Sequence, residues 1–314
     1  MKAGNLPLPA TAPATPATEV AASGRRPLGI ATPRSAAALE DGQYRIWAEH
    51  FEQRTGILVH DHREPFVRRE LERRLDELAL DFETYLLRLL QPASGAGEWR
   101  HLLDRLLIKE TRFFRHRESH DFVREQIARQ ASRQGGERLN IWSLGCSTGE
   151  EAYSLALDAL AGFEAVGHTP EFAVIGTDIS TTALREARAG IYPLHALGST
   201  DRQHLARFIE PIGTGRFRLA SEVRRHVGFV ADNLLDQRCG FFREGADIVF
   251  CQHLLVYFRR WRRRQALNFL ARRLKPGGLL VVGPGECSDW QPEFLVRERH
   301  PDVSAYRRPN PEGE

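Results

Sequence analysis

The chain has no pair of cysteines at C-x-x-C spacing. Its four cysteines, Cys146, Cys239, Cys251 and Cys287, are scattered, which suits reduced thiols and argues against a zinc site, so no metal is expected. There is no run of about 18 apolar residues, the length needed to cross a bilayer. The opening Met1-Lys-Ala-Gly-Asn5 leads into Pro/Ala/Thr-rich sequence instead of an apolar core, so a secretory leader is not expected. Together these features point to a cytoplasmic protein without membrane insertion. Strong net charge is also missing: the balance is +3 over 314 residues, and the basicity is local and mostly arginine. What is present, 42% hydrophobic and 27% charged residues, is the composition of a soluble globular chain with a sizeable core.

Residues 1–41 hold hardly any large apolar side chain and read as a disordered tail, because such a stretch cannot offset its ordering entropy. From 42 to 133 the pattern is helical. Tyr44 to Phe51 places apolar residues three and four apart, and Val67, Leu71, Leu75 and Leu78 form one stripe, with Arg68, Arg69, Arg73 and Arg74 off it. Phe82 to Leu90 and Trp99 to Ile108 continue the module, separated by a loop expected over Gln91 to Gly97. From 134 to 314 the rhythm becomes strand and helix. Strands are expected at Leu139–Leu144, Phe172–Thr177, Val227–Val230, Ala246–Cys251 and Leu279–Gly283. Helices are expected at Glu150–Leu160, Thr181–Ala189 and Arg260–Leu274. That alternation implies an α/β fold with a mostly parallel sheet covered on both faces. Phe294–Arg297 and Ser304–Arg307 suit a closing antiparallel pair. Residues 191–226 fit no sheet-covering helix and read as an inserted small subdomain, a helix followed by a β-ribbon.

The segment Gly145-Cys-Ser-Thr-Gly-Glu-Glu151 follows the first of these strands and opens a helix, the entry to a nucleotide-type site. Two carboxylates stand where a phosphate binder needs bare amides, so the ligand should offer hydroxyls or positive charge. S-adenosylmethionine has a ribose, an ammonium and a sulfonium, and it fits. Asp178 ends the second strand, where a carboxylate can accept from both ribose hydroxyls; its alternative is the N-cap of the next helix, for which Ser180 is also suited. Asn233, after the third strand, can read an adenine edge or simply make a turn. Tyr257 and Phe258 line the methyl-transfer end or pack in the core. Arg115, in Lys109-Glu-Thr-Arg-Phe-Phe-Arg115, can grip a carboxylate or anchor the helical module.

Eight motifs occur in one order: Thr111 to Arg115, Cys146 to Ser154, Gly176-Thr-Asp178, Gly190-Ile-Tyr192, Asn233-Leu-Leu235, Val256-Tyr-Phe258, Leu274 to Gly278 and Gly283-Pro-Gly-Glu286. Together they resemble the chemotaxis-receptor methyltransferases of the CheR type, over roughly residues 42 to 308. The resemblance implies an all-helical N-terminal domain, then a Rossmann-like class I methyltransferase sheet with an inserted β-subdomain. It implies a protein-glutamate O-methyltransferase that uses S-adenosylmethionine and releases S-adenosylhomocysteine. By motif position, Thr111 and Arg115 would touch the donor and acceptor region, Glu150 the methionine ammonium, Asp178 the ribose, and Asn233 with Leu234 the adenine. Gly145, Ile179, His253 and Leu254 complete the implied cofactor contacts, and Arg115 and Tyr257 would orient the reactants. The implied partners are methyl-accepting receptor helices, met by Arg68, Arg69, Arg73 and Arg74 and by the inserted subdomain.

Three departures lie near the pocket. Cys251-Gln-His253 replaces the family's Cys-Arg-Asn, Lys109-Glu-Thr111 its Asn-x-Thr, and Gly283-Pro-Gly-Glu286 its Gly-His-Ser-Glu. They keep two other readings open: a signalling module of the same family with weak or no catalysis, and a methyltransferase with another acceptor. A stable nucleic-acid partner is not expected, because Gln252-His-Leu-Leu255 is no Asn/Asp-Pro-Pro-aromatic segment. Arg259 to Arg264 also fits the exposed face of a sheet-covering helix.

Overall fold

Alternation along the central strands divides the interior into two cores. The computed structural model describes residues 38–133, 137–198, 205–237, 242, 244–288 and 290–310; the expected tail falls almost wholly outside them. Strand β1 (Leu139–Leu144) pairs in parallel with β2 (Phe172–Asp178) and β7 (Ala246–Cys251). β6 (Val227–Ala231) flanks β2, and β8 (Leu274–Val282) flanks β7. The antiparallel strands β10 (Ser304–Arg307) and β9 (Val296–Arg297) close one edge, giving the order β6-β2-β1-β7-β8-β10-β9. Successive side chains on a strand point to opposite faces. Ile141, Ile248, Phe250, Leu279 and Val281 therefore pack on one side, and Trp142, Val249, Cys251, Leu280 and Val282 on the other.

The first face is covered by α5 (Arg117–Arg133) and α6 (Glu150–Ala165), whose Phe122, Val123, Ile127, Leu155 and Ala159 join that cluster. The second face carries α1 (Asp41–Thr55), α2 (Glu64–Leu78), α3 (Phe82–Leu90) and α4 (Pro92–Leu106) in a continuous core with the sheet. Tyr44, Trp47 and Phe51 lie on the buried stripe of α1, with the Trp47 and Phe51 rings stacked 5.0 Å apart. The helix Arg260–Arg272 shares this second core through Ala266, Leu267 and Leu270, with Phe269 edge-on to Trp142, while α5, read from sequence with the helical module, covers the opposite face.

The expected loop at Gln91–Gly97 is instead the start of α4. Pro92 sits at the first helical position, where its missing N–H is no loss. Gly95 is needed by contact: a Cβ there would meet the Leu89 carbonyl oxygen at 2.2 Å, so only glycine lets α4 cross the end of α3. β8 also begins earlier than its apolar run suggests. Ala246 faces Leu274 and Ile248 faces Leu279, so Lys275-Pro-Gly-Gly278 bulges out of the ladder. The inserted segment is a three-stranded antiparallel sheet: β3 (Ile191–Pro193) beside β5 (Arg216–Leu219) beside β4 (Ile209–Ile212). Where a helix was expected before the ribbon, the described residues give 3-10 turns at Leu194–Leu197 and Ala206–Phe208 and a helical Leu205; residues 199–204 lie outside them. Two further helices, α7 (Thr181–Ala189) and α9 (Arg260–Arg272), follow β2 and β7; between them lies the short α8 (Ser221–Arg224).

Candidate active site

In a parallel sheet the loops after the strands share one edge, and ligands bind in the crevice there. Ser143 of β1 is level with Gly176 of β2 and Phe250 of β7, so the glycine turn, the turn after Asp178 and the segment from Gln252 to Tyr257 converge. The end of α1, the segment between α1 and α2, and the residues after α4 close the space from above. The resulting cavity, about 890 Å³ including its mouth, is lined by Gly145, Ser147, Asp178, Ile179, Asn233, Leu234, His253, Leu254 and Tyr257 from the sheet side. Thr55, Ile57, Arg63, Ile108 and Lys109 line it from the helical side. Of the eleven residues that the resemblance implied for the site, eight meet here. Thr111, Arg115 and Glu150 are not among the lining residues.

Asp178 organises one end. Its carboxylate accepts from the backbone N–H of Ser147 (2.9 Å) and of Ser180 (2.8 Å), tying the glycine turn to β2. Burial raises its pKa, and these backbone bonds oppose the rise. Ser180 caps α7, its hydroxyl accepting from Ala183 N–H at 3.1 Å, so Asp178 is not that cap. Gly149 closes the turn at φ +94°, and a Cβ there would stand 2.7 Å from that of Ala187.

Asn233 lines the cavity with both ends of its amide engaged. Its Nδ2 donates to the Arg54 carbonyl (2.7 Å) and its Oδ1 accepts from Leu235 N–H (3.1 Å). Both ends of the amide thus bind backbone, strapping the loop after β6 to the end of α1.

The two acids of the glycine turn separate. Adjacent helical residues point about 100° apart, so they meet different neighbours. Glu150 is buried and turns aside, accepting from the Thr148 hydroxyl at 2.6 Å, with Glu186 and Tyr192 nearby. Glu151 takes the other direction. It accepts from the Ser143 hydroxyl at 2.7 Å and feels Glu286 and Arg115; burial pushes its carboxyl up to about 8. Of the two acids, Glu151 is thus the one beside Ser143, Glu286 and Arg115, and neither acid is a lining residue of the cavity.

Sequence reasoning also missed Glu286, for which the motif gave no role. It is buried and accepts from the backbone N–H groups of Gly283 (3.0 Å), His253 (3.1 Å) and Val256 (3.0 Å), clamping the turn that carries Tyr257. Burial raises its pKa, against those three bonds. His253 adopts φ +58°, and burial, with Arg115 and His116 adding to it, pushes its pKa down to about 4. The ring is neutral at pH 7. Gln252 points away from the cavity to donate to the buried Ser119 hydroxyl at 2.7 Å. Arg115 donates to the Glu110 carbonyl at 2.7 Å and stands by both Glu151 and His253.

Among the described residues, the buried Ser147 hydroxyl and the Nε2 of His253 have no hydrogen-bond partner, although both residues line the cavity. Such orphaned groups need a polar ligand. Apolar Ile179, Leu234 and Leu254 between them suit a flat base. The residues present fit an adenosine carrying a charged tail.

Two family models cover this arrangement: the all-alpha domain of CheR methyltransferases over residues 42–107, and their SAM-binding domain over residues 109–296. The chain belongs to the CheR methyltransferase family. It is 36% identical over 268 residues to the chemotaxis protein methyltransferase of Salmonella typhimurium, an overlap of 83% of this chain and 89% of that one. The chemotaxis protein methyltransferase of Escherichia coli K12 is 35% identical over 268 residues, 83% and 90% of the two chains. The probable biofilm formation methyltransferase WspC of Pseudomonas putida is 34% identical over 239 residues, 75% of this chain and 54% of that one. As a family member the chain is an S-adenosylmethionine-dependent methyltransferase. No helix among the described residues is long and apolar enough to cross a membrane.

Proposed function

We propose that this chain methylates glutamate carboxylates on the cytoplasmic helices of chemotaxis receptors, working in the cytoplasm and forming glutamate methyl esters. The observation that carries the reading is a cavity lined by Asp178 and a neutral His253, with Arg115 beside both His253 and the buried Glu151. Asp178 would hold the ribose, Glu151 the ammonium, and the side chains of Ile179, Leu234 and Leu254 the base. When bound, the donor supplies a methyl group on a sulfonium.

A glutamate side chain, with a pKa of about 4.3, already carries the attacking negative charge at pH 7, so no general base is required. The protein's task is alignment and water exclusion. Arg115 can direct the acceptor carboxylate, while the neutral imidazole of His253 can donate to it without adding a second full charge that would hold the nucleophile back. The Glu286 clamp fixes the backbone from His253 to Val256 and so sets where Tyr257 stands.

On the receptor side, α2 has less free charge than its sequence suggests. Arg68 pairs with Glu64 and Asp41, Arg73 with Glu70, and Arg74 with Glu98 and Glu77, leaving Arg69 exposed. These pairs weaken the case for α2 as the whole receptor face.

A second reading, a family member that binds donor without transfer, is favoured by Gln252, which has no charge and is turned toward Ser119 where the family carries arginine. Tritiated donor with receptor cytoplasmic domains separates the two. Base-labile label on the receptor is expected. Donor binding by calorimetry with no label on any receptor would overturn the methylation and leave the second reading.

A further inference from the structure

Two carboxylates line the cavity among the described residues, Asp178 and Asp232. Asp178 commits both oxygens to the backbone of Ser147 and Ser180. Asp232, the residue after β6, is partly buried and in no ion pair among the described residues. It also borders a second cavity, about 1710 Å³ including its mouth, between the end of α1, the junction of α3 with α4, and the loop after β6. The two spaces share Thr55, Ile179, Asp232 and Asn233, so one layer of side chains divides them.

Of these four, Ile179 is apolar. The Thr55 hydroxyl donates to the Phe51 carbonyl at 2.7 Å and accepts from Ile57 N–H at 3.1 Å. The Asn233 amide binds backbone at both ends. Asp232 retains acceptor capacity, because its carboxyl meets the Asn233 N–H and no other donor among the described residues. Burial raises its pKa, with Asp236 adding to the rise and the Asn233 N–H opposing it. An adenine presents an amino group at its edge, and a buried donor needs an acceptor.

We propose that Asp232 accepts one N–H of the donor's adenine amino group, and that the second cavity takes a substituent on the same nitrogen. The inference rests on the placing of the base against Ile179, Leu234 and Leu254. A singly substituted amino group keeps one N–H for the carboxylate and turns its substituent elsewhere. The wall that holds Asp232 is the side on which space continues. Leu89, Leu103 and the Trp99 ring, with the Arg54 guanidinium 5.1 Å from its centre, give that space apolar surface for an alkyl or aryl group. The chain therefore selects donors by the presence of a hydrogen on this nitrogen and not by the size of what else it carries.

The test is calorimetric binding of S-adenosylhomocysteine and its analogues to the full chain. Removing the amino group, or replacing both of its hydrogens by methyl groups, should weaken binding about tenfold, because Asp232 loses its donor. One benzyl group on that nitrogen should change affinity by less than about threefold. Asp232→Asn should bind the parent compound about tenfold more weakly and prefer the 6-oxo analogue, since an amide can donate to that oxygen. Equal affinities for the parent and the analogue lacking the amino group overturn the inference. So does a larger loss on adding the benzyl group, or an Asp232→Asn variant that weakens every ligand equally, the mark of a loop defect. Leu234→Asp tests the placing of the base. If it leaves affinity for the parent unchanged, the base lies elsewhere and the inference goes with that reading; if it weakens binding while the amino group proves irrelevant, the inference alone falls.

Discussion

Glutamine at position 151 should abolish a proton release that accompanies donor binding. Glu151 has its carboxyl raised from the ordinary 4.5 to about 8, chiefly by burial, with Glu286 adding to the rise and Arg115 and Ser143 opposing it. At pH 6 to 7 it is mostly protonated, and pairing with an ammonium requires that proton to leave. Below a pKa of about 8, one proton released per binding event makes affinity rise toward tenfold per pH unit. The donor's own ammonium begins to titrate near pH 8, so the useful window is pH 6 to 7.5. Across it the dissociation constant should fall by about twentyfold, allowing for saturation near the pKa. Calorimetry in two buffers of different ionisation enthalpy counts the protons. We expect close to one for the wild type and close to none for Glu151→Gln, with weaker binding in the variant. The same shift has a stability counterpart. Folded Glu151 keeps a proton that the unfolded chain gives up, so stability falls as pH rises from about 4.5 to about 8, by at most ~5 kcal/mol. If Glu151→Gln binds donor like the wild type with unchanged proton release, while Glu150→Gln does not, the assignment of the ammonium to the second acid is wrong.

Arg115→Ala should reduce turnover far more than donor affinity, and equal losses in single-turnover and calorimetric measurements would remove its role with the acceptor. Asn233→Asp keeps the acceptor for Leu235 N–H but loses the bond to the Arg54 carbonyl; at about 1–3 kcal/mol, donor affinity should fall some tenfold. The loss should be equal for a donor analogue lacking the adenine amino group, since the amide binds backbone; a loss confined to the natural donor would mean that Asn233 reads the base. Asp158 forms a buried 2.6 Å pair with Nδ1 of His120. Asp158→Ala, which leaves the histidine unpartnered, should cost about 3 kcal/mol in denaturant unfolding; a shift well under 1 kcal/mol would show that the pair adds little.

Local chemistry made much of this molecule readable. Short apolar runs separated by helical periods announce a covered parallel sheet, because only strands buried on both faces can be apolar throughout. The ordered motifs announced the family and with it the cofactor. Asp178 and the glycine turn were legible because a strand end and a positive φ demand particular residues there. Other features needed the packed chain. The helix start at Pro92 was hidden by Ser94, Gly95 and Gly97, which look like loop residues until the Leu89 carbonyl beside Gly95 is seen.

Sequence placed two acids at the head of α6 and one amide after β6, but it carries no information about direction in space. The 100° step between Glu150 and Glu151, with Ser143 on one side and Thr148 on the other, decided which acid stands beside Glu286 and Arg115. The carbonyl of Arg54, 179 residues away from Asn233, decided what that amide does. The same holds for arginine. Counting charges favoured α2, whereas Glu64 and Glu70 of the same helix and Glu98 of α4, which folding brings close, pair with most of that face. Residue types fix which interactions a side chain can make; only tertiary structure sets which partner comes within about 3 Å.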